Sequence, residues 1–170
     1  MHRMALDTLY RATEALGALC LAMVGVMILS QIIGRNLGLL VPSADEIAGY
    51  FMAASAFLLL GPNLRQGVHI RVGLLIERLT GQPRRWLEIA CLLAAVALSL
   101  FLAWHWAELV WDSYDLEEKS QGLLPIPLWL PQAAMGIGLA VLVLVLLDEL
   151  VTVLASRPAS YTLASVATEG

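Results

Sequence analysis

Charge is what this chain has least of. Only 14% of its 170 residues are Asp, Glu, Lys or Arg, against 59% hydrophobic, too little polar surface to disperse a soluble domain of that size. Cysteine is nearly absent: Cys20 and Cys91 each stand alone inside an apolar run. Neither has a second cysteine at a metal-ligand or redox spacing, so both read as small packing residues rather than as disulfide or thiol chemistry. Histidine is scarce as well. His2, His69 and His105 are too dispersed to supply the converging ligands of a metal centre, which speaks against metal catalysis at His69. No basic face for a nucleic acid is present, and no fixed-period repeat relates one half of the chain to the other.

What is there is grease in long stretches. Crossing the ~30 Å hydrocarbon core takes roughly 20 apolar residues per helix, so the chain has room for about four crossings and no large soluble domain. The runs predict transmembrane helices over about 14–35, 44–64, 84–112 and 126–155, in a single membrane domain of residues 1–156. Residues 157–170 are short, small and polar, and read as a mobile cytoplasmic tail. The first run follows Arg3 and Arg11 as a secretory signal does. It is longer than a signal's apolar core, and Gln31, Arg35 and Asn36 make a poor cleavage site, so it is expected to be retained. Pro62 is expected to kink or stop the second helix.

Orientation follows from the cations. Arg3, Arg11, Arg65, Arg71, Arg78, Arg84, Arg85 and Arg157 fall on one side of four crossings, and only Arg35 and Lys119 on the other. Both termini and the arginine-rich connection therefore read as cytoplasmic. The aromatic belts agree: Trp86 sits beside Arg84 and Arg85, whereas Trp104, Trp106, Trp111, Tyr114 and Trp129 gather at the other boundary. Within the basic connection, Val72, Leu75, Ile76 and Leu79 recur at helical spacing before Gly81 and Pro83. This predicts a short amphipathic helix over about 70–80 lying on the inner leaflet, where Arg65, Arg71 and Arg78 meet lipid phosphates.

Ser43 followed by Glu46 has the spacing of a capping box at the head of the second helix. Pairing of Arg35 with Asp45 or Glu46 is left open. Glu14, Glu88, Glu108, Asp148 and Glu149 sit near the ends of their runs, within reach of an interface. Glu14 is also what an autonomous proton-coupled four-helix exporter would use, although Arg11 beside it favours an interfacial place. His105 and Glu108 stand one turn apart and read as an outer-interface pair. Small residues four apart, such as Ala18/Ala22, Gly49/Ala53, Ala90/Ala94 and Gly136/Ala140, suit close helix approach in lipid. A membrane enzyme is the least supported class, because the polar residues are split between the two sides.

Four segments taken in order, "QIIGRN" (31–36), "ADEIAGY" (44–50), "LRQGVHIRVGLL" (64–75) and "LLPIPLWLPQAAMGIGL" (123–139), resemble the small membrane subunit of tripartite ATP-independent periplasmic (TRAP) transporters, the DctQ-like proteins. Ser43-Ala44 before the acidic pair and Gly61-Pro62 before the arginine motif depart from that pattern. The resemblance implies an all-α integral membrane protein of a bacterial inner membrane, with no cofactor and no catalytic, substrate-binding or metal site of its own. It would partner a large multi-span permease subunit, which carries the sodium and substrate sites for organic-acid uptake, and a periplasmic substrate-binding protein. Arg35, Glu46, Arg65, Gly67, His69, Arg71, Arg78, Trp86, Pro125, Pro127 and Trp129 are then expected in membrane anchoring and subunit contact. The acidic loop bearing Asp115, Glu117 and Glu118 is a candidate docking surface for the binding protein.

Overall fold

In lipid every backbone N–H and C=O has to be satisfied within the protein, which leaves a chain of apolar runs one ordinary solution, a set of helices. The computed structural model describes residues 2–39, 41–65 and 82–155, with side chains from Thr8 onward and without those of Pro83 and Arg84. It consists of α1 (His2–Asn36), α2 (Ala44–Arg65), α3 (Gln82–Asp115) and α4 (Trp129–Leu154). All four contain a stretch long and apolar enough to cross a membrane. The expected interfacial helix at 70–80 and the tail at 157–170 lie outside the described residues.

The helices stand in an open row. α1 packs on α2, α2 on α4, and α4 on α3, so chain order 1-2-3-4 becomes spatial order 1-2-4-3. α4, in the interior of the row, is the most buried span, and α1, at its edge, the least. Burying apolar side chains gains little when the solvent is itself hydrocarbon, so close backbone approach has to hold such a row together. Glycine provides it. A Cβ on Gly17 of α1 would meet Leu59 Cγ at 2.7 Å, and one on Gly138 of α4 would meet Leu58 N at 2.7 Å and collide with the Phe57 carbonyl. A Cβ on Gly61 of α2 would lie 3.0 Å from Val141 Cγ1 and 3.3 Å from Val145 Cγ2. The pairs Phe57/Gly138 and Gly61/Val145 advance together along both chains, so α2 and α4 run parallel, while α1 against α2 and α3 against α4 run antiparallel.

Of the small pairs noted in the sequence, a Cβ on Gly136 would lie 3.3 Å from Trp106 Cδ1, but one on Gly49 would meet nothing within 4 Å. The approaches between α1, α2 and α4 are made at Gly17, Gly61 and Gly138 instead. α2 also does not stop at Pro62: it continues to Arg65, with Gly61 and Pro62 buried.

Both described C-termini on the loop side of the row close by the same device. At the end of α1, Leu39 N donates to Gly34 O (2.8 Å) and Gly38 N to Arg35 O (3.3 Å). Gly38 takes the left-handed φ of 72° that this Schellman pattern requires. At the end of α3, Glu118 N donates to Ser113 O (3.0 Å) and Glu117 N to Tyr114 O (3.3 Å), with Glu117 itself at φ 49°.

Candidate functional site

The residues singled out in the sequence separate onto the two ends of the row. At one end lie Arg35, Glu46, Asp115, Glu117, Glu118, Pro125, Pro127 and Trp129. At the other lie Arg65 and Trp86. Gly67, His69, Arg71 and Arg78 belong to that second end by sequence, but fall outside the described residues.

The loop end is built around residues 116–128, folded as a short hairpin. Lys119 and Pro127 form an isolated antiparallel bridge. Ser120 N donates to Ile126 O at 2.8 Å and Leu128 N to Glu118 O at 3.0 Å. Pro125 and Pro127 bracket Ile126 and fix φ on both sides of it. Ile126 N–H donates to Ser120 Oγ (3.3 Å), which in turn donates to Leu124 O (3.1 Å). Since 126–127 are committed to the hairpin, α4 begins at Trp129, whose ring meets Tyr114 edge to face at 5.8 Å.

This hairpin is fastened to a helix that is not its sequence neighbour. Leu124 N donates to Ser43 Oγ at 2.9 Å, and Gly122 lies against Glu46 Oε2 so closely that a Cβ there would clash. Ser43 therefore does not act as the capping-box residue that its spacing suggests: it adopts φ 54° and turns its hydroxyl to the loop. The Glu46 carboxylate accepts a hydrogen bond from Tyr50 Oη at 2.8 Å, and its other oxygen is buried against the loop with no hydrogen-bond partner. Arg35 pairs with neither Asp45 nor Glu46. Its side chain is exposed, at a helix C-terminus where positive charge is favoured.

The acidic trio is not uniform. Asp115 and Glu117 point to solvent, but Glu118 Oε2 accepts from Ser113 Oγ at 2.8 Å, and Ser113 is completely buried. Glu118 thus holds the loop to α3, while the other two remain available on its surface. Beside them, Lys119, Pro127 and Trp129 help line a cleft of about 400 Å³. A second, almost wholly apolar groove of about 550 Å³ runs between α3 and α4, floored by Ala103, Ala107, Ala133 and Gly136 and framed by Trp106, Trp111 and Trp129. Trp106 Nε1 donates to Gln132 O across it at 2.8 Å.

At the other end, the Arg65 guanidinium lies 4.9 Å from the centre of the Tyr10 ring. Tyr10 is buried with Val141 and Val145 of α4, so the stacked pair ties α1, α2 and α4 together, a contact worth about 0.5–2 kcal/mol. One turn beyond Val145, Glu149 is 1% exposed. It is turned into the row, not out to the interface as its place near the end of a run suggests. Arg85 Nη2 donates to the Leu154 carbonyl at 3.3 Å, satisfying a helix C-terminus with a cation. Trp86 is 70% exposed.

Tyr10, Ser113, Ser120, Gly122 and Gly138 were not among the expected functional positions. Only the two glycines leave a trace in the sequence, Gly122 in a polar loop and Gly138 beside Gly136 in the fourth apolar run. Among the described residues no group of three His, Cys, Asp or Glu side chains is placed to hold a metal ion. Glu14 is exposed on α1 and lies in no described cavity. No curated protein matches the chain. A family model described as tripartite ATP-independent periplasmic transporters, DctQ component, matches residues 23–156, most of its length.

Proposed function

The chain belongs to the DctQ component of the tripartite ATP-independent periplasmic transporters, and from that premise we propose that it is a fixed scaffold for a sodium-coupled permease that takes up organic acids. The family is a transport family without catalytic chemistry, so the chain is a membrane component and not an enzyme. The large multi-span subunit binds sodium and substrate and moves; this chain stays still beside it. Both termini and the basic connection face the cytoplasm of a bacterial inner membrane, because eight of the ten Lys and Arg residues fall on that side.

One observation carries the scaffold reading: the family match over residues 23–156 falls on helices locked by glycine contacts at Gly61 and Gly138, with Gly17 adding a third just before it. Such contacts resist sliding because any displacement drives a side chain into a backbone. A partner that shuttles across the bilayer needs a neighbour of this kind. Arg65, Arg71, Arg78 and the helix expected at 70–80 supply grip on the inner leaflet. Asp115 and Glu117, on the far side, offer negative charge to a periplasmic binding protein.

Reconstitution tests the proposal. Vesicles containing the large subunit, the binding protein and this chain should accumulate substrate under a sodium gradient, and omission of this chain should abolish uptake. Undiminished uptake without it, or solute movement by this chain alone, refutes the reading.

A further inference from the structure

We propose that the apolar groove between α3 and α4 and the charged cleft beside it form one binding site for a single phospholipid whose headgroup carries an ammonium next to its phosphate, as an ethanolamine headgroup does. The inference goes beyond the scaffold reading and holds for whatever solute the transporter carries.

Groove and cleft are continuous. Tyr114 and Trp129 line both, and their rings, edge to face at 5.8 Å, form a sill between the two. Because Trp and Tyr settle at the headgroup level of a bilayer, the sill marks the boundary, with the apolar groove on its hydrocarbon side and the charged cleft on its water side. A phospholipid has the same order of parts.

Length narrows the occupant. On α3 the groove runs from Tyr114 to Ala103, and on α4 from Trp129 to Ala140; at about 1.5 Å per residue each wall is about 16 Å long, close to half of the ~30 Å hydrocarbon core. Farther along the two helices the seam is closed, where Leu92 and Val96 pack against Leu146 and Val153. A transmembrane helix laid between α3 and α4 would need a trough through both leaflets. This one serves a single leaflet, as an acyl chain does.

Charge selects the headgroup. An acyl chain gains little by moving from bulk lipid into an apolar groove, so discrimination among lipids falls to the cleft. Asp115, Glu117 and Glu118 line it together with Lys119, three carboxylates against one ammonium. That balance repels a headgroup whose only charge is its phosphate. An ethanolamine headgroup suits it, since its ammonium meets the carboxylates while its phosphate meets Lys119. The cleft is also held in shape without a ligand, because Glu118 is fastened to the buried Ser113 and Lys119 is bridged to Pro127.

The test places a photo-crosslinking residue at Ile137, which lines the groove and is exposed. The chain, assembled with the large subunit, is reconstituted in vesicles of equal parts phosphatidylethanolamine and phosphatidylglycerol. The probe should capture phosphatidylethanolamine about threefold more often than phosphatidylglycerol, the preference that an exposed ion pair gives. Joint replacement Asp115→Lys and Glu117→Lys, both at exposed positions of the loop end, should turn that preference toward phosphatidylglycerol. Capture of the large subunit at Ile137, capture of the two lipids in equal amounts, or a preference that survives the charge reversal overturns the assignment. None of these results touches the scaffold reading, which is decided by uptake with and without this chain.

Discussion

Gly138→Ala adds one methyl group at the tightest approach in the row, and its effect can be worked from the geometry. The new Cβ would lie 2.7 Å from Leu58 N and closer still to the Phe57 carbonyl, whereas ordinary contact begins near 3.4 Å. α2 and α4 must therefore part by at least about 0.7 Å, a gap that forfeits roughly a quarter to a half of the attraction of each displaced atom pair. Because the obstacle is backbone, no rotamer change relieves it, and overpacking of this kind costs about 1–3 kcal/mol. Alanine's better helix propensity returns about 1 kcal/mol, leaving a net loss of up to about 2 kcal/mol. Gly49→Ala is the control: it meets nothing within 4 Å and should keep the propensity gain. Thermal unfolding in detergent should then place Gly138→Ala about 2–12 °C below Gly49→Ala, since the two differ by the overpacking cost of about 1–3 kcal/mol at about 2–4 °C per kcal/mol. Equal melting temperatures for the two variants would show that α2 and α4 do not meet as described.

Three further outcomes follow from the two ends. Ser43→Ala removes the acceptor of the Leu124 N–H, so amide exchange across 120–128 should quicken by about fivefold, the effect of about 1 kcal/mol, with global unfolding nearly unchanged; unaltered exchange would mean that the loop is held elsewhere. In a double-mutant cycle, Tyr10→Leu and Arg65→Gln should show a coupling of about 0.5–2 kcal/mol in unfolding, and simple additivity would remove the stacked pair as a tie between α1 and α2. Charge reversal of Asp115 and Glu117 should weaken binding-protein-dependent uptake most at low ionic strength, and uptake indifferent to the reversal would dismiss this loop as a docking surface.

The four spans were legible because length and apolarity alone define a membrane helix, and no alternative pairing of those runs satisfies the backbone in lipid. The order of the helices in the row was not. It depends on which sides of α1, α2 and α4 carry their glycines, and in the run Gly136-Ile137-Gly138 the two glycines face different neighbours, one Trp106 and one Phe57. Ser43 and Glu46 show a second limit. Their spacing fits a local cap, yet a loop some eighty residues away competes for the same hydroxyl and prevails. Glu149 shows a third, since closeness to the end of a run does not reveal that the residue is turned toward a neighbouring helix. The family's motif residues were recognisable as a set, but only the folded chain separates Glu46, which packs against a loop, from Arg35, which does not.

The stitching of the 116–128 hairpin to Ser43 and Glu46 has a mechanical consequence. A loop hinged only on its own two helices would swing when pushed. Here a load arriving on the hairpin is divided at once between α3, through Ser113 and Glu118, α4, through Trp129, and α2, through Ser43. The far tip of the molecule is thereby braced as a tripod, so a protein that lands on it presses on three of the four helices and not on a single flexible strap.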